Sequence, residues 1–452
     1  MTVDPIEKVR NQYDLTPYPN LPATDMGGDG DRGVILHSYA SAWYAKTQRV
    51  DDRQDVTILD AGCGSGVTTL ALAIANPKAR IVGIDLSETS LHLAGERLTY
   101  HGFPHVEFHK LAIAQLPQFK TEQNIEFDYI NCEETLYLQT DIVESLRQMQ
   151  TVLAPTGILR INVHSLYQRI DFFRAQAFSR LIGFLNSNPT NREYQMISGI
   201  MEALADDNLL KVSTWLPSDK SMDFVLMNYM LIEDKGYTIP DFFQMLRLAN
   251  LEFIGMTEPA GWHLPYLFPN GMPDSIVDFW HNATPEKKLH AYELLHPANR
   301  LLDLWCGHSG RSPEYIEIQK WTEGMWKSAM IYLHPVVRTD SFFQTLDRAI
   351  AQMQPDPNVQ KLHRSHLDAL TVILCLRFMR KSPCKFSDLL DYWCIHKPKL
   401  EAYRKVFTLV GAAVPTVHRM SDRQAYEELR FLLSELVMDR VVMLERSVCC
   451  SF

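Results

Sequence analysis

The stretch ILDAGCGSGVTTLALA, Ile58–Ala73, decides how the rest of the chain is read. An apolar run beginning at Val56 closes on Asp60, and Gly62, Gly64 and Gly66 follow two residues apart. VTTLALAIAN then has helical spacing as far as Asn76-Pro77, where the proline ends it. Stripping side chains beside a helix N-terminus lets the backbone approach a ligand closely. A dinucleotide loop of the G-x-G-x-x-G kind needs glycine where Val67 stands, and a P-loop needs Gly-Lys-Ser/Thr, which does not follow. The loop is G-x-G-x-G led by Asp60. The next apolar run, ARIVGIDLS, ends in Asp85 with Leu86 beside it, and an acid in that place accepts both hydroxyls of a ribose.

Working outward, strands and helices alternate. SETSLHLAGERLTYHG reads as a helix with Ser87 as its N-cap and Gly102 as its stop; VEFHKLAI, FDYINCEE and ILRINVHS read as further strands, with the helix DIVESLRQMQTVLAPTG between the last two. This alternation predicts a parallel sheet covered by helices on both faces, with ligands beyond the carboxyl ends of the strands. Asp60, Asp85, Glu133, Glu134 and His164 all fall at those ends, on one rim. Residues 166–236 are rich in Phe, Leu, Met and Tyr at helical spacing and read as an inserted helical cap. TIPDFFQMLRLANLEFIGM returns to helix and strand, and Ala329–Leu333 is expected to be the last strand of the sheet. From Val336 onward the apolar stretches look like helices around a core of their own.

The expected division is residues 1–55, an N-terminal lid and helix; 56–165, the cofactor-binding core; 166–236, the helical cap; 237–335, the remainder of the core; and 336–452, a helical accessory domain. The 452 residues exceed one ordinary core, and a 46% hydrophobic, 22% charged composition is that of a soluble globular protein. A net charge of −10 argues against a broad nucleic-acid surface, whose affinity would come from Lys and Arg on phosphates. The first residues, MTVDPIEKVRNQYDL, carry no apolar secretory core, and no run of about 18 uncharged apolar residues follows. Eight scattered cysteines fit reduced thiols in a cytoplasm. Cys394 with His396, and His363 with His366, lack a second pair at zinc spacing, so no metal is expected.

LDAGCGSG and IVGIDLS resemble the first two cofactor motifs of class I S-adenosylmethionine-dependent methyltransferases, and the likeness continues through FDYINCEETLYL, VLAPTGILRINVH and the helix-strand pair at 238–256. The resemblance implies a Rossmann-like seven-stranded α/β sheet with the inserted cap and the mainly helical C-terminal domain. It implies S-adenosylmethionine as cofactor. Asp60 would help place its methionyl amine, Gly62, Gly64 and Gly66 would let the backbone meet it, Asp85 would bind the ribose and Leu86 would pack on the adenine. Many relatives carry an acid in the third motif; here Ala112 or Ile113 stands there, and Ile113 is assigned as an apolar contact. Glu133 is assigned to the cofactor side as well. NQYDLTPYPNLP resembles the Tyr…Pro-Tyr-Pro segment of a bacterial subgroup, where Tyr13 and Tyr18 would shape the active site under a lid, and its three prolines stiffen it. That subgroup has a His-His pair after its fourth strand, and Tyr137 and Leu138 replace it here.

Methyl transfer from a sulfonium is an in-line displacement, to which a protein contributes mainly positioning and exclusion of water. His164 is the candidate general base, Glu133 and Glu134 can hold an amine or one of them touch the cofactor, with Glu134 entered among the catalytic residues, and Tyr137 and His263 are placed on the substrate side. Phe172, Phe173, Phe178, Trp215, Phe224 and Tyr229 suggest an enclosed, aromatic-lined pocket. The expected function is methylation of an O or N atom of a small-molecule or natural-product acceptor. A peptide or protein side chain recognised through the C-terminal domain is the alternative, and a non-catalytic cofactor-binding partner module the second. Neither nucleic acid nor membrane is an expected partner, and a homodimer is left open.

Overall fold

The structure, a computed structural model, describes residues 10–11, 13–14, 17–27, 30–51, 53, 55–185, 190–215, 220–363, 366–408 and 417–446. The chain forms two compact units. The first comprises Met1–Gly28, Gln54–Thr257 and Gly261–Ser312, and the second Asp29–Arg53, Glu258–Ala260 and Pro313–Phe452. Among the described residues, no helix is long and apolar enough to cross a membrane.

The first unit is built on β1 (Thr57–Ala61), β2 (Arg80–Asp85), β3 (Glu107–Lys110), β4 (Phe127–Cys132), β5 (Leu153–Ser165), β6 (Gly236–Tyr237), β7 (Leu251–Met256) and β8 (Leu301–His308). The strand order is β3-β2-β1-β4-β5-β8-β7, with the two-residue β6 pairing β5 off this path. Strands β1 to β5 pair in parallel, and β8 runs antiparallel to both β5 and β7. The expected seven-stranded α/β sheet is therefore present. Its central strands are near-continuous apolar runs because both faces are covered. Ile58, Leu59, Ile130, Leu159 and Ile161 are all completely buried. Each such side chain contributes roughly 1.5–3 kcal/mol by leaving water.

The last strand of this sheet is not where the sequence suggests. Ala329–Leu333 (β9) belongs to the second unit, where it pairs antiparallel with both β10 (Cys384–Lys385) and β11 (Val442–Arg446). The strand beside β5 is LLDLWCGH. Its Asp303 breaks the apolar run and hides the strand from a periodicity reading. In the fold that acid is neutralised: Arg160 on β5 reaches Asp303 at 2.7 Å, as a diagonal cross-strand pair.

Between β5 and β6 lie helices Ile170–Leu181, Asn191–Ala203, Leu209–Thr214 and Met222–Tyr229. Their starts follow from Thr190, Asn208 and Ser221, whose side chains accept backbone N–H groups of the first turn. The cap aromatics form a core of their own rather than a ligand wall. Phe172 and Trp215 both meet Tyr229 edge-on, with Ala175, Ile197, Met201 and Val225 around them.

The second unit is mainly helical, with the three-stranded sheet β10-β9-β11. Trp326, Phe386, Trp393 and Leu433 anchor its core. Helix Tyr39–Thr47 also packs here rather than belonging to a lid. The Tyr44 hydroxyl donates to the Leu444 carbonyl at 2.9 Å and accepts its N–H at 3.0 Å. The units thus divide the chain at 312 rather than 335, and residues 29–53 go with the second.

Candidate active site

The glycine loop turns sharply between β1 and helix Val67–Ala75. Gly62, Gly64 and Gly66 all have positive φ, where side chains are strained. The N–H groups of Gly62 and Cys63 both donate to the Ile84 carbonyl, at 2.8 and 3.0 Å, which locks the loop to β2. The three glycines do different jobs. A Cβ on Gly62 would collide with Thr135, one on Gly64 would come within 2.7 Å of the Tyr18 carbonyl, and one on Gly66 would come within 2.8 Å of Ala94. Gly66 thus makes room for helix Glu88–Tyr100 and does not line the cavity described next, a correction to its expected place at the cofactor.

A cavity of about 420 Å³ opens at the carboxyl ends of β1, β2 and β4. Of the residues singled out from sequence, Gly62, Gly64, Asp85, Leu86, Ile113, Glu133, Glu134, Tyr13 and Tyr18 line it. Asp85 sits at its floor. Its Oδ2 accepts the Gly64 N–H at 3.0 Å and its Oδ1 the Ser87 N–H at 2.8 Å. Burial raises its pKa, and those backbone donors oppose the rise. Ser90, which sequence reading passed over, also lines the cavity, and its buried hydroxyl has no hydrogen-bond partner among the described residues. Ala112 and Ile113 form an apolar stretch of wall; the Ala112 N–H is already spent on Gln115 Oε1 at 2.9 Å.

Asp60 does not line the cavity. Its carboxylate is buried and accepts from Thr68 Oγ1 at 3.0 Å, Thr69 Oγ1 at 2.6 Å and Asn131 Nδ2 at 2.8 Å. It ties β1, β4 and the following helix together, which corrects the expectation that it meets the cofactor directly. The Glu133 carboxylate is paired with Arg160 at 3.2 Å, so its charge is balanced from β5.

Glu134 is the polar centre of the other wall. It holds a left-handed φ of 55°, and its N–H donates to Asn162 Oδ1 at 2.8 Å. Its carboxylate accepts the Tyr137 hydroxyl at 2.8 Å and is ion-paired with Arg300. His164 Nε2 lies 3.6 Å from Glu134 and 3.2 Å from Arg300 Nη1. Burial alone would raise the Glu134 pKa; His164 and Arg300 overcome it and hold the carboxyl far below its ordinary range. Burial pushes the phenols of Tyr13 and Tyr18 up, and the charge of Glu134 adds to both.

His164 is buried, with Tyr137 stacked on its ring at 3.9 Å, and neither residue lines the cavity. Its Nδ1 donates to Asp234 at 2.6 Å, and Asp234 also takes Gln176 at 2.8 Å and Arg169 at 3.4 Å. His164 as the base in contact with an acceptor, and Tyr137 as a substrate contact, are thereby corrected: both support Glu134 from behind. His263 is corrected too. It packs edge-on to Tyr266 and Trp280 and lies outside the cavity. Sequence reading missed Asp234 and Arg300. Neither sits in a motif; the only available signal was the acid preceding the short stretch KGYT.

The residues fit S-adenosylmethionine. A strand-end carboxylate suits the ribose hydroxyls, Leu86 and Ile113 offer apolar walls for an adenine, glycine backbone is exposed at Gly62 and Gly64, and the Ser90 hydroxyl awaits a partner.

Comparison with known proteins agrees. A methyltransferase-domain family model matches residues 52–205. An uncharacterised protein of Synechococcus sp. is 28% identical over 304 residues, covering 66% of this chain and 70% of that one. Demethylmenaquinone methyltransferase of Bacillus cytotoxicus is 28% identical over 156 residues, covering 34% and 58%. Among solved structures, PKMT2 from Rickettsia typhi in complex with AdoHcy shares the fold, with a TM-score of 0.58 at 15% identity, over 91% of this chain and 76% of that one. Residues 52–205 thus form a class I S-adenosylmethionine-dependent methyltransferase domain.

Proposed function

We propose that this enzyme methylates an amine nitrogen presented at the end of a slender acceptor, such as a peptide side chain or an extended natural product. The observation that carries the reading is the ionised Glu134 carboxylate on the cavity wall, with the hydroxyls of Tyr13 and Tyr18 sharing that cavity. S-adenosylmethionine, when bound, supplies an electrophilic methyl group that a nucleophile displaces. Asp85 would hold its ribose, Leu86 and Ile113 its adenine, and the Gly62–Gly64 backbone its remaining polar atoms. Glu134, whose charge Arg300 already balances, would accept a hydrogen bond from an amine N–H and orient it.

Size supports the same reading. A cavity of about 420 Å³ is at the small end for one drug-sized ligand. With the cofactor inside, the remaining space suits a terminal group better than a whole aromatic molecule. The cap aromatics, which would have enlarged an aromatic pocket, are committed to their own core. PKMT2 and plantazolicin methyltransferase BpumL are among the solved structures that resemble the chain. A hydroxyl on a small aromatic acceptor is the second reading, favoured by the tyrosine rings in the wall.

Among the described residues, none of Glu134, Tyr13 and Tyr18 is a base near neutral pH. Glu134 is too acidic, and Tyr13 and Tyr18 are too basic to ionise. The amine therefore sheds its proton to water before it attacks. Incubation with labelled methyl donor and matched amine, phenol and carboxylate acceptors, free and in peptides, tests this. Label on nitrogen is expected; label confined to oxygen acceptors would sink the amine reading.

A further inference from the structure

Residues 17–27 form turns and bends without regular secondary structure, and Tyr18 and Pro19 form part of the cavity wall. None of these residues is fully buried. The segment is therefore not held down by apolar docking, which is how most docked segments are fixed. Its attachment is polar and converges on two residues. The Ser65 N–H donates to the Tyr18 carbonyl at 3.3 Å, and the Ser65 hydroxyl to the Pro19 carbonyl at 2.8 Å. Arg97, wholly buried on helix Glu88–Tyr100, donates to the carbonyls of Leu21 at 2.9 Å, Pro22 at 2.9 Å and Asp25.

The same guanidinium donates from Nε to the Ser65 carbonyl at 2.9 Å. One side chain thus joins the front segment to the glycine loop. Burial lowers the Arg97 pKa, and the charge of Asp25, itself a residue of the segment, opposes that. The guanidinium is met by four carbonyl dipoles, three of which belong to the segment. Hydrogen bonds to a segment with little buried apolar surface exchange readily for bonds to water, so this attachment can open at small cost.

We propose that residues 17–27 are a strap latched by Arg97, which opens to exchange the cofactor and its product and closes over them, so that Arg97 sets how long S-adenosylhomocysteine stays bound. Arg97 is a positioning residue: it acts through Tyr18, Pro19 and the glycine loop. The proposal rests on the cofactor assignment above. It accounts for two features together, the collision of a Gly64 Cβ with the Tyr18 carbonyl and the burial of an arginine whose hydrogen bonds go to four carbonyls, three of them on the segment. Bound cofactor would add wall contacts to Tyr18 and Pro19 that the open strap lacks, so cofactor and strap closure stabilise each other reciprocally.

The test uses the full chain. Hydrogen–deuterium exchange of residues 17–27 is measured with and without S-adenosylhomocysteine, and product release is followed by chase in wild type, Arg97→Lys, Arg97→Ala and Ser65→Ala. Strap exchange is expected to slow about tenfold with ligand, and release to quicken about tenfold in Arg97→Ala, with partial rescue in Arg97→Lys. Should Arg97→Ala fail to fold, Ser65→Ala carries the test, with release expected about threefold faster. Release unchanged in a folded variant, or strap exchange indifferent to ligand, overturns the proposal while leaving the cofactor assignment standing. Absence of binding to wild type overturns both.

Discussion

The two walls of one cavity are built on opposite plans. The wall of Gly62, Gly64, Asp85 and Leu86 comes from one continuous strand-loop-helix-strand segment, and its geometry is fixed by backbone bonds to Ile84 and Asp85. The wall of Glu134 is assembled from four distant places in the chain: β4's end, His164 on β5, Asp234 after the cap and Arg300 before β8. The first plan makes a site that binds whatever the rest of the fold does. The second makes a site whose charge exists only when the cap and the antiparallel strand are in place. Binding and turnover should therefore separate cleanly on mutation.

The sharpest separation is expected at Glu134. Glu134→Gln keeps shape but replaces one acceptor oxygen by a donor and breaks the pairing with Arg300 that aims the group, so turnover on amine acceptors should fall about 100-fold or more. S-adenosylhomocysteine affinity, read by calorimetry, should stay within about threefold. Asp85→Ala should do the reverse. It removes a carboxylate offered to two hydroxyls, and affinity should fall about 100-fold; it also frees the Gly64 and Ser87 N–H groups, so the ligand-free chain should lose about 1–3 kcal/mol. If either variant damages both properties equally in folded protein, the two walls are not independent and the comparison breaks.

Behind Glu134 the expected effect is on stability. Asp234 is buried against His164, Arg169 and Gln176. Asp234→Ala leaves Arg169 without its partner in a dry site and should destabilise the chain by about 3 kcal/mol in denaturant unfolding. A loss below about 1 kcal/mol would mean that water reaches the site and that the network is not the buried unit argued above.

The pH dependence sharpens the contrast further. The folded-state pKa of Glu134 is depressed, so its contribution to stability is present above the ordinary carboxylate pKa and fades as pH falls below about 4. Tyr13 and Tyr18 are raised and keep their protons through the alkaline assay range. Neither group titrates where activity is measured. With an amine acceptor, kcat/KM should rise about tenfold per pH unit up to the acceptor's own pKa. A break whose pH does not move with the acceptor would point instead to an enzyme base in the chemistry.

How far the sequence disclosed all this follows the same division. The loop from Asp60 to Gly66, the acid at Asp85 and the alternation of strands are local patterns, and the sheet and the cofactor wall were legible from them. Asp234 and Arg300 were not, because nothing near them in sequence shows that β5 will bring them to Glu134. The antiparallel strand Leu301–His308 escaped because Asp303 interrupts it, an acid that only Arg160 across the sheet makes tolerable. The cap aromatics misled for a general reason: a stripe of rings at helical spacing is usually the core of the helices that carry it.

The same lesson applies within the local pattern, where three glycines at equal spacing invite a single explanation. Gly62 and Gly64 line the cavity, but Gly66 faces Ala94 on the next helix. Gly66→Ala forces a Cβ to within 2.8 Å of that helix at a φ of 82°. Overpacking and backbone strain together should cost about 1–3 kcal/mol of stability. Affinity for S-adenosylhomocysteine in the folded protein should change by less than about twofold, since the position carries no contact to the cavity. Calorimetry beside thermal unfolding of the one variant separates the terms. A tenfold loss of affinity at unchanged stability would return Gly66 to the ligand and restore the three glycines to one function.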